Sequence, residues 1–194
     1  MRQATDLLVR RQLLDRRRGS GTFVLQKPKQ VDLFSLGGTL ASFEKGSVTP
    51  KTRLTRRLRL ETIQGSRDNP LANREAYTFE RLSSVHGQPV VLERFWLDPR
   101  VFRDLHQFKL AGRSLSQLVE THYALRPLRA HQTFRVHSPS VALRRQLKIG
   151  ASDPVLLVHR TLDFAKAPAA VFVKLFCRTD EMSFSQTIGA PVDA

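Results

Sequence analysis

Residues 77–97 read YTFERLSSVHGQPVVLERFWL, and this stretch decides the fold. Aromatic and β-branched residues lie on both sides of His86-Gly87-Gln88. The pattern predicts a long antiparallel hairpin, Tyr77–Ser84 with Pro89–Leu97, across a glycine-containing turn. Period-two alternation puts Tyr77, Phe79, Arg81 and Ser83 on one strand face. Working outward, Pro99–Leu105 reads as a short helix. Ser114–Tyr123 opens with Ser-x-x-Gln, a capping-box signal, and carries Leu115, Leu118, Val119 and His122 at helical spacing. Leu128–Val136 alternates Leu128, Ala130, Gln132, Phe134 and Val136 with Arg129, His131, Thr133 and Arg135, the signature of a half-exposed strand. Ser138-Pro139 is read as the cap of a helix that runs to Ile149 and closes at Gly150. Pro154–Phe164 and Ala169–Arg178 form a second hairpin across Ala165–Pro168. Strand pairs with helices inserted between them predict an α+β fold on an antiparallel sheet, not a doubly wound one.

The chain has 194 residues, enough for one larger domain or an ordinary domain with a small module. At 41% hydrophobic and a mean hydropathy of −0.29 it has the composition of a globular protein. No apolar run approaches the roughly 18 residues a membrane span needs. The first residues are charged throughout and do not read as a secretory signal. A lone cysteine, Cys177, excludes an internal disulfide framework and fits a reducing cytoplasm.

Thirty-two basic residues against 17 acidic ones give a net charge of +15. That balance favours a polyanionic partner, nucleic acid first and an anionic membrane surface second. The excess is densest at the N-terminus, where the first thirty residues hold eight basic and two acidic side chains. Signatures of catalysis are missing: there is no phosphate-binding G-x-x-x-x-G-K-[ST], no G-x-G-x-x-G after a strand, no G-x-S-x-G and no H-E-x-x-H. The six histidines are scattered and read as ordinary surface or hydrogen-bonded side chains. Cys177 reads as a packed thiol, and no cofactor or metal is expected.

Residues 2–14 read as a helix, and Arg16–Val24, RRRGSGTFV, as a hairpin with a glycine-rich tip. Residues 26–35, QKPKQVDLFS, have the polar composition of a linker. A helix followed at once by a basic two-stranded wing is how winged helix-turn-helix modules end. MRQATDLLVRRQLLDRRRGSGTFV resembles the recognition helix and wing of GntR-type bacterial transcription regulators, whose usual run is close to VRQALDLLVREGLLERRRGSGTFV. The rest, from about Leu40 to Gly189, is similar to the effector-binding UTRA domain of the HutC branch of that superfamily. Its landmarks are YTFERLSSVHGQPVVLE, RSLSQLVE, SVALRRQLKIGASDPVLLVHRTL and VFVKLFCRTDEMSF. The organisation expected is residues 1–25 as part of a winged module, 26–39 as linker and 40–190 as effector domain.

The resemblance implies a ligand-responsive, cytoplasmic regulator, a repressor acting as a homodimer on operator DNA. It places Arg2 at the base-reading position of the recognition helix and Arg18, Gly19, Ser20 and Gly21 in the wing. Two helices that open the family module have no counterpart here, so weak DNA binding is expected of this chain. Met1, Thr5 and Gln12 also depart from the family's usual residues. The resemblance further implies an effector pocket at Arg81, Ser83, Glu93 and Ser114. Ser114 equally caps a helix, and Glu93 equally pairs with Arg81 across the hairpin. Arg56, Arg57 and Arg59 read as a solvated strand face. Relatives that sense a phosphosugar have arginine at Ser83 and tyrosines at Ser116 and near Cys177. Their absence points to a smaller or singly charged effector, such as an organic acid or amino-acid-like metabolite, in keeping with a small anionic metabolite. Two alternatives stand beside this reading: an effector-binding dimerisation module without its own DNA contacts, and a chorismate-lyase-like enzyme using Arg81 and Glu93.

Overall fold

A computed structural model describes Thr5 and residues 14–17, 21–24, 29–31, 38–45, 49–65 and 68–184. In chain order, β1 (Leu14–Arg17) and β2 (Gly21–Val24) pair as an antiparallel hairpin. Leu14, expected to end a helix, already lies in β1. Strand β3 (Lys29–Val31) follows, inside the segment read as a linker, and pairs in parallel with β10 (Met182–Phe184). Helix α1 (Gly38–Lys45) begins in that same segment and leads into β4 (Lys51–Thr62).

The hairpin expected from residues 77–97 is β5 (Glu75–Val85) and β6 (Gln88–Leu97). His86 and Gly87 join them with φ values of 50° and 78°. Two successive positive φ values give a turn whose twist matches that of the strands it connects. The rest of the chain supplies α2 (Leu115–Tyr123), β7 (Pro127–His137), α3 (Val141–Leu147), β8 (Val155–Phe164) and β9 (Ala167–Arg178). These strands form one six-stranded sheet ordered β4-β5-β6-β9-β8-β7, with every neighbour antiparallel. The α+β antiparallel architecture read from the sequence is the observed one.

Two local expectations are corrected. Residues 99–105 form turns that end in a 3-10 segment, Leu105–Gln107, instead of an α-helix. Asp104 takes φ 55°, outside the right-handed region that a continuing helix needs. The cap of α3 is Ser140, whose hydroxyl accepts from Leu143 N–H at 3.3 Å, and not Ser138-Pro139. Lys148, in the left-handed region, ends that helix before Gly150 is reached. Gly150 N–H instead donates to the Asp153 carboxylate at 2.7 Å.

The two faces of the sheet are closed differently. Leu143 and Leu147 of α3 pack on Leu82, Leu92 and Phe176. On the opposite face, Phe43 of α1 and Leu118 and Val119 of α2 belong to the larger core with Phe79, Phe95 and Leu175. Alternation along β5 puts Arg81 and Ser83 on this second face beside Phe79, so charged and hydroxyl groups enter a mostly apolar core. Among the described residues no helix is long and apolar enough to cross a membrane.

Candidate functional site

Arg81 and Glu93 stand directly opposite one another in the β5–β6 register. The Arg81 Nε and Nη2 groups lie 2.9 and 2.8 Å from Glu93 Oε2, and both side chains are almost fully buried. The Arg81 Nη1 donates to the Arg113 carbonyl at 2.8 Å. Its guanidinium also covers the Phe95 ring at 5.0 Å, and Phe95 stacks on Phe79 with centroids 4.4 Å apart. Guanidinium and carboxylate therefore neutralise each other within a rigid stack, as buried charges must be paired.

The pair forms part of the wall of a small cavity that opens to solvent. Arg160 of β8 is the wall's third ionisable residue, 4% exposed. It sits beside Val173 in the β8–β9 register and donates from Nε to Gln132 Oε1 of the edge strand β7 at 3.1 Å. Among the described wall residues the formal charge is thus +1, from two arginines and one glutamate. Leu40, Phe95, Leu115, Leu162 and Val173 supply the apolar surface.

Two helix starts roof the cavity. Gly38, Thr39 and Leu40 come from the first turn of α1, while Ser114, Leu115 and Ser116 come from the cap and first turn of α2. Ser114 accepts from Gln117 N–H at 3.5 Å, the contact predicted by its Ser-x-x-Gln signature. Neither helix has an acidic residue in its first turn. Their N-terminal amides and dipoles therefore direct positive potential toward the cavity. Gly38 makes the convergence possible: it takes φ 82°, and a Cβ there would lie 2.7 Å from Ser116 Oγ.

Of the effector residues implied by the resemblance, Arg81, Glu93 and Ser114 meet at this wall. Ser83 does not line it. Its side chain is fully buried on the same sheet face, opposite Thr52 and Val91, and among the described residues its hydroxyl has no hydrogen-bond partner. Of the DNA-contacting set, Gly21 opens β2 with φ 113°, whereas Arg2, Arg18, Gly19 and Ser20 lie outside the described residues. The basic stretch of β4 is exposed at Arg56, Arg57 and Arg59, and Arg56 pairs with Glu61 at 2.9 Å. Burial pushes the Cys177 thiol well above its ordinary range, so it is a packed group and not a nucleophile.

Sequence reasoning missed Arg160, Gly38 and Thr39. A signal for Arg160 was present: alternation places it on the same face as Val158 and Leu162, an arginine on an otherwise apolar inward row. Nothing comparable marks Gly38 and Thr39, because the link between α1 and α2 is tertiary.

A sheet with a charged cavity roofed by two converging helix starts defines a ligand-binding domain. Residues 71–183 match the family model described as the UTRA domain. That is more than half of the chain, and the chain belongs to this family, which makes it a ligand-responsive transcription regulator. The fold is similar to that of PhnF from Mycobacterium smegmatis, with a TM-score of 0.79 and 19% identity over 97% of this chain and 84% of that one. It is also similar to the ligand-binding domain of a GntR-family regulator from Bordetella bronchiseptica, with a TM-score of 0.62 and 20% identity over 72% and 89% of the chains. The C-terminal domain of the histidine utilization repressor from Pseudomonas syringae pv. tomato gives a TM-score of 0.63 and 12% identity, over 73% of this chain and 99% of that one. At these identities the likeness is one of fold.

Proposed function

We propose that this regulator senses a small anionic metabolite in the cavity beneath α1 and α2, and that occupancy resets the affinity of a homodimer for operator DNA. The observation that carries the reading is the convergence of two helix starts, with no acidic residue in either first turn, over a wall whose described ionisable residues are two arginines and one glutamate. Such a wall attracts an anion and leaves a cation unmatched. Arg81 and Ser114 serve in this reading as fixed donors, with Glu93 holding the guanidinium in place. Ser83 stands two residues from Arg81 along the same strand face and does not line the cavity.

The route of response follows from chain order. Gly38–Leu40 line the cavity, and they come directly after the segment that carries the β1–β2 hairpin and β3. A ligand that fixes the start of α1 biases the connection to the N-terminal part of the chain, where Arg2, Arg18, Gly19, Ser20 and Gly21 are the proposed DNA contacts. The change is a shift between states of different operator affinity. In this proposal residues 1–25 form the DNA-binding part, 26–39 the connection and 40–190 the sensing domain, acting in the cytoplasm. A lyase-like reading gains nothing from Arg81 and Glu93, since each charge is already spent on the other.

Fluorescence anisotropy tests the reading, using labelled fragments from the DNA flanking the protein's own gene. A ligand that raises the thermal midpoint of the chain is expected to change its affinity for one fragment at least tenfold at fixed salt. An unchanged affinity for every fragment overturns it.

A further inference from the structure

We infer that the basic edge strand β4 of the sensing domain is a second contact surface for duplex DNA, its exposed cations holding the phosphate backbone. The inference rests on the reading of this chain as a DNA-binding regulator, and it adds a surface to the N-terminal contacts proposed above.

Sequence sets the charge. Strand β4 reads KTRLTRRLRLET, and residues 51–60 carry five basic side chains and no acid. Arg56 is neutralised by Glu61, with contacts of 3.0 and 2.9 Å. Lys51, Arg53, Arg57 and Arg59 are exposed, and among the described residues none has an acidic partner. Glu80, which faces Arg56 in the β4–β5 register, is held by Arg94 of β6 at 2.8 Å. What is left on the strand is a run of a single sign, whose potentials add.

Position sets the access. Strand β4 ends the sheet order and pairs only with β5, so its outer edge has no neighbouring strand among the described residues. Outer backbone amides and arginine forks are both suited to phosphate oxygens. The stretch from Lys51 to Arg59 spans at most about 26 Å. A duplex carries one charge per about 1.7 Å of its axis, so a row of this length meets several phosphates at once. Leu60 is the strand's one exposed large hydrophobic side chain, which is too little apolar surface to enter a membrane. Charges also deter strand pairing between copies at a sheet edge, but lysine or glutamate serves that purpose without a phosphate-matching fork.

The row begins at a telling end of the sheet. Lys51 stands opposite Ser84, and across β6 the same end carries Val91 and Cys177. Strand β9 leaves there for β10, which pairs with β3, and only residues 25–28 separate β3 from the β1–β2 hairpin. Three strand spacings of about 4.8 Å lie between β4 and β9. A duplex held through the N-terminal part thus approaches the domain at the end where Lys51 and Arg53 lie.

Fluorescence anisotropy of the full chain tests this, with labelled duplexes from the DNA flanking its own gene and an unrelated duplex of equal length. Lys51→Gln, Arg53→Gln and Arg59→Gln together should weaken binding to both at least tenfold, since phosphate contacts carry no sequence information. The slope of log affinity against log salt should flatten by about 2–3, close to one per lost contact. Arg57→Gln alone should weaken binding about threefold, a readout that survives if the triple variant does not fold. Arg103→Gln with Lys109→Gln and Lys166→Gln removes the same charge from exposed positions elsewhere, and should leave affinity nearly unchanged. Equal loss in the two triple variants assigns the effect to net charge and overturns the inference. Unchanged affinity in the β4 variants overturns it and leaves the operator reading standing, whereas a wild type that binds no duplex overturns both. If those β4 variants keep their DNA affinity and instead self-associate in sedimentation, or lose binding to phosphatidylserine vesicles, the strand belongs to edge protection or to a membrane surface.

Discussion

The Arg81 guanidinium and the Glu93 carboxylate face each other across the β5–β6 hairpin at 2.8 Å, with side chains only 3% and 2% exposed. A buried pair of this kind is intolerant of losing one member, because the survivor is left as an uncompensated charge. Glu93→Gln is therefore expected to destabilise the chain by about 3–5 kcal/mol in urea unfolding. Joint replacement, Arg81→Met with Glu93→Leu, should recover much of that loss. A recovered double variant that no longer responds to ligand would separate the pair's contribution to binding from its contribution to stability. Equal loss in single and double variants would contradict the electrostatic account.

The contact between Gly38 and Ser116 gives a second prediction. Gly38→Ala forces a Cβ onto a backbone at φ 82° and to within 2.7 Å of Ser116 Oγ. A cost of at least about 1 kcal/mol is expected, together with weaker ligand binding as the start of α1 moves. Adding Ser116→Ala should restore only a minor share, because the hydroxyl can rotate aside while the φ strain stays. Full restoration in chemical unfolding would show that the clash dominates.

Two helix caps of the same chemistry separate structure from binding. Ser114 caps α2 at the cavity, and Ser140 caps α3 on the other face of the sheet. Alanine at either position should cost about 1 kcal/mol of stability. Only Ser114→Ala should also reduce the ligand-induced shift in thermal midpoint. Equal reductions in both variants would remove Ser114 from the binding surface.

His159 sets an acid limit. It lies on the opposite face of the sheet from the cavity, next to Lys174, with its Nε2 buried and, among the described residues, without a hydrogen-bond partner. Burial above all, with the charge of Lys174, holds its pKa below the ordinary histidine value. The unfolded chain binds a proton near pH 6.5 while the folded chain resists it. This contribution to stability is thus complete above that pH, falls as pH drops through 6.5 and levels off below the folded value. Urea midpoints measured between pH 7.5 and 5 should decline, and His159→Gln should flatten that decline. An identical slope in the variant would assign the acid sensitivity elsewhere.

Much of the fold is legible locally. The β5–β6 hairpin needs only alternation around His86-Gly87, and α2 needs only Ser114 three residues before Gln117. Each signal lies within the reach of neighbouring residues, where backbone sterics and short-range hydrogen bonds act. Where competing local preferences were close, reading failed. Ser138-Pro139 and Ser140 both suit a helix start, and the capping hydroxyl is that of Ser140. Residues 99–105 have helical composition, yet Asp104 adopts a left-handed conformation that ends any such run.

By itself, then, the sequence determined an antiparallel α+β chain with Arg81 inward on one strand, Glu93 on its hairpin partner and Ser114 at a helix start. Hairpin register alone brings the first two together, since a short turn fixes which residues stand opposite one another. Only the tertiary structure decided that this pair is spent on itself, that Ser83 does not line the cavity, and that Arg160 does. It also brought Gly38 against Ser116. Arg160 and Gly38 are more than a hundred residues apart, and no local pattern encodes their meeting. It arises because burying the apolar faces of α1 and α2 on the sheet leaves both helix starts over one end of the same cavity.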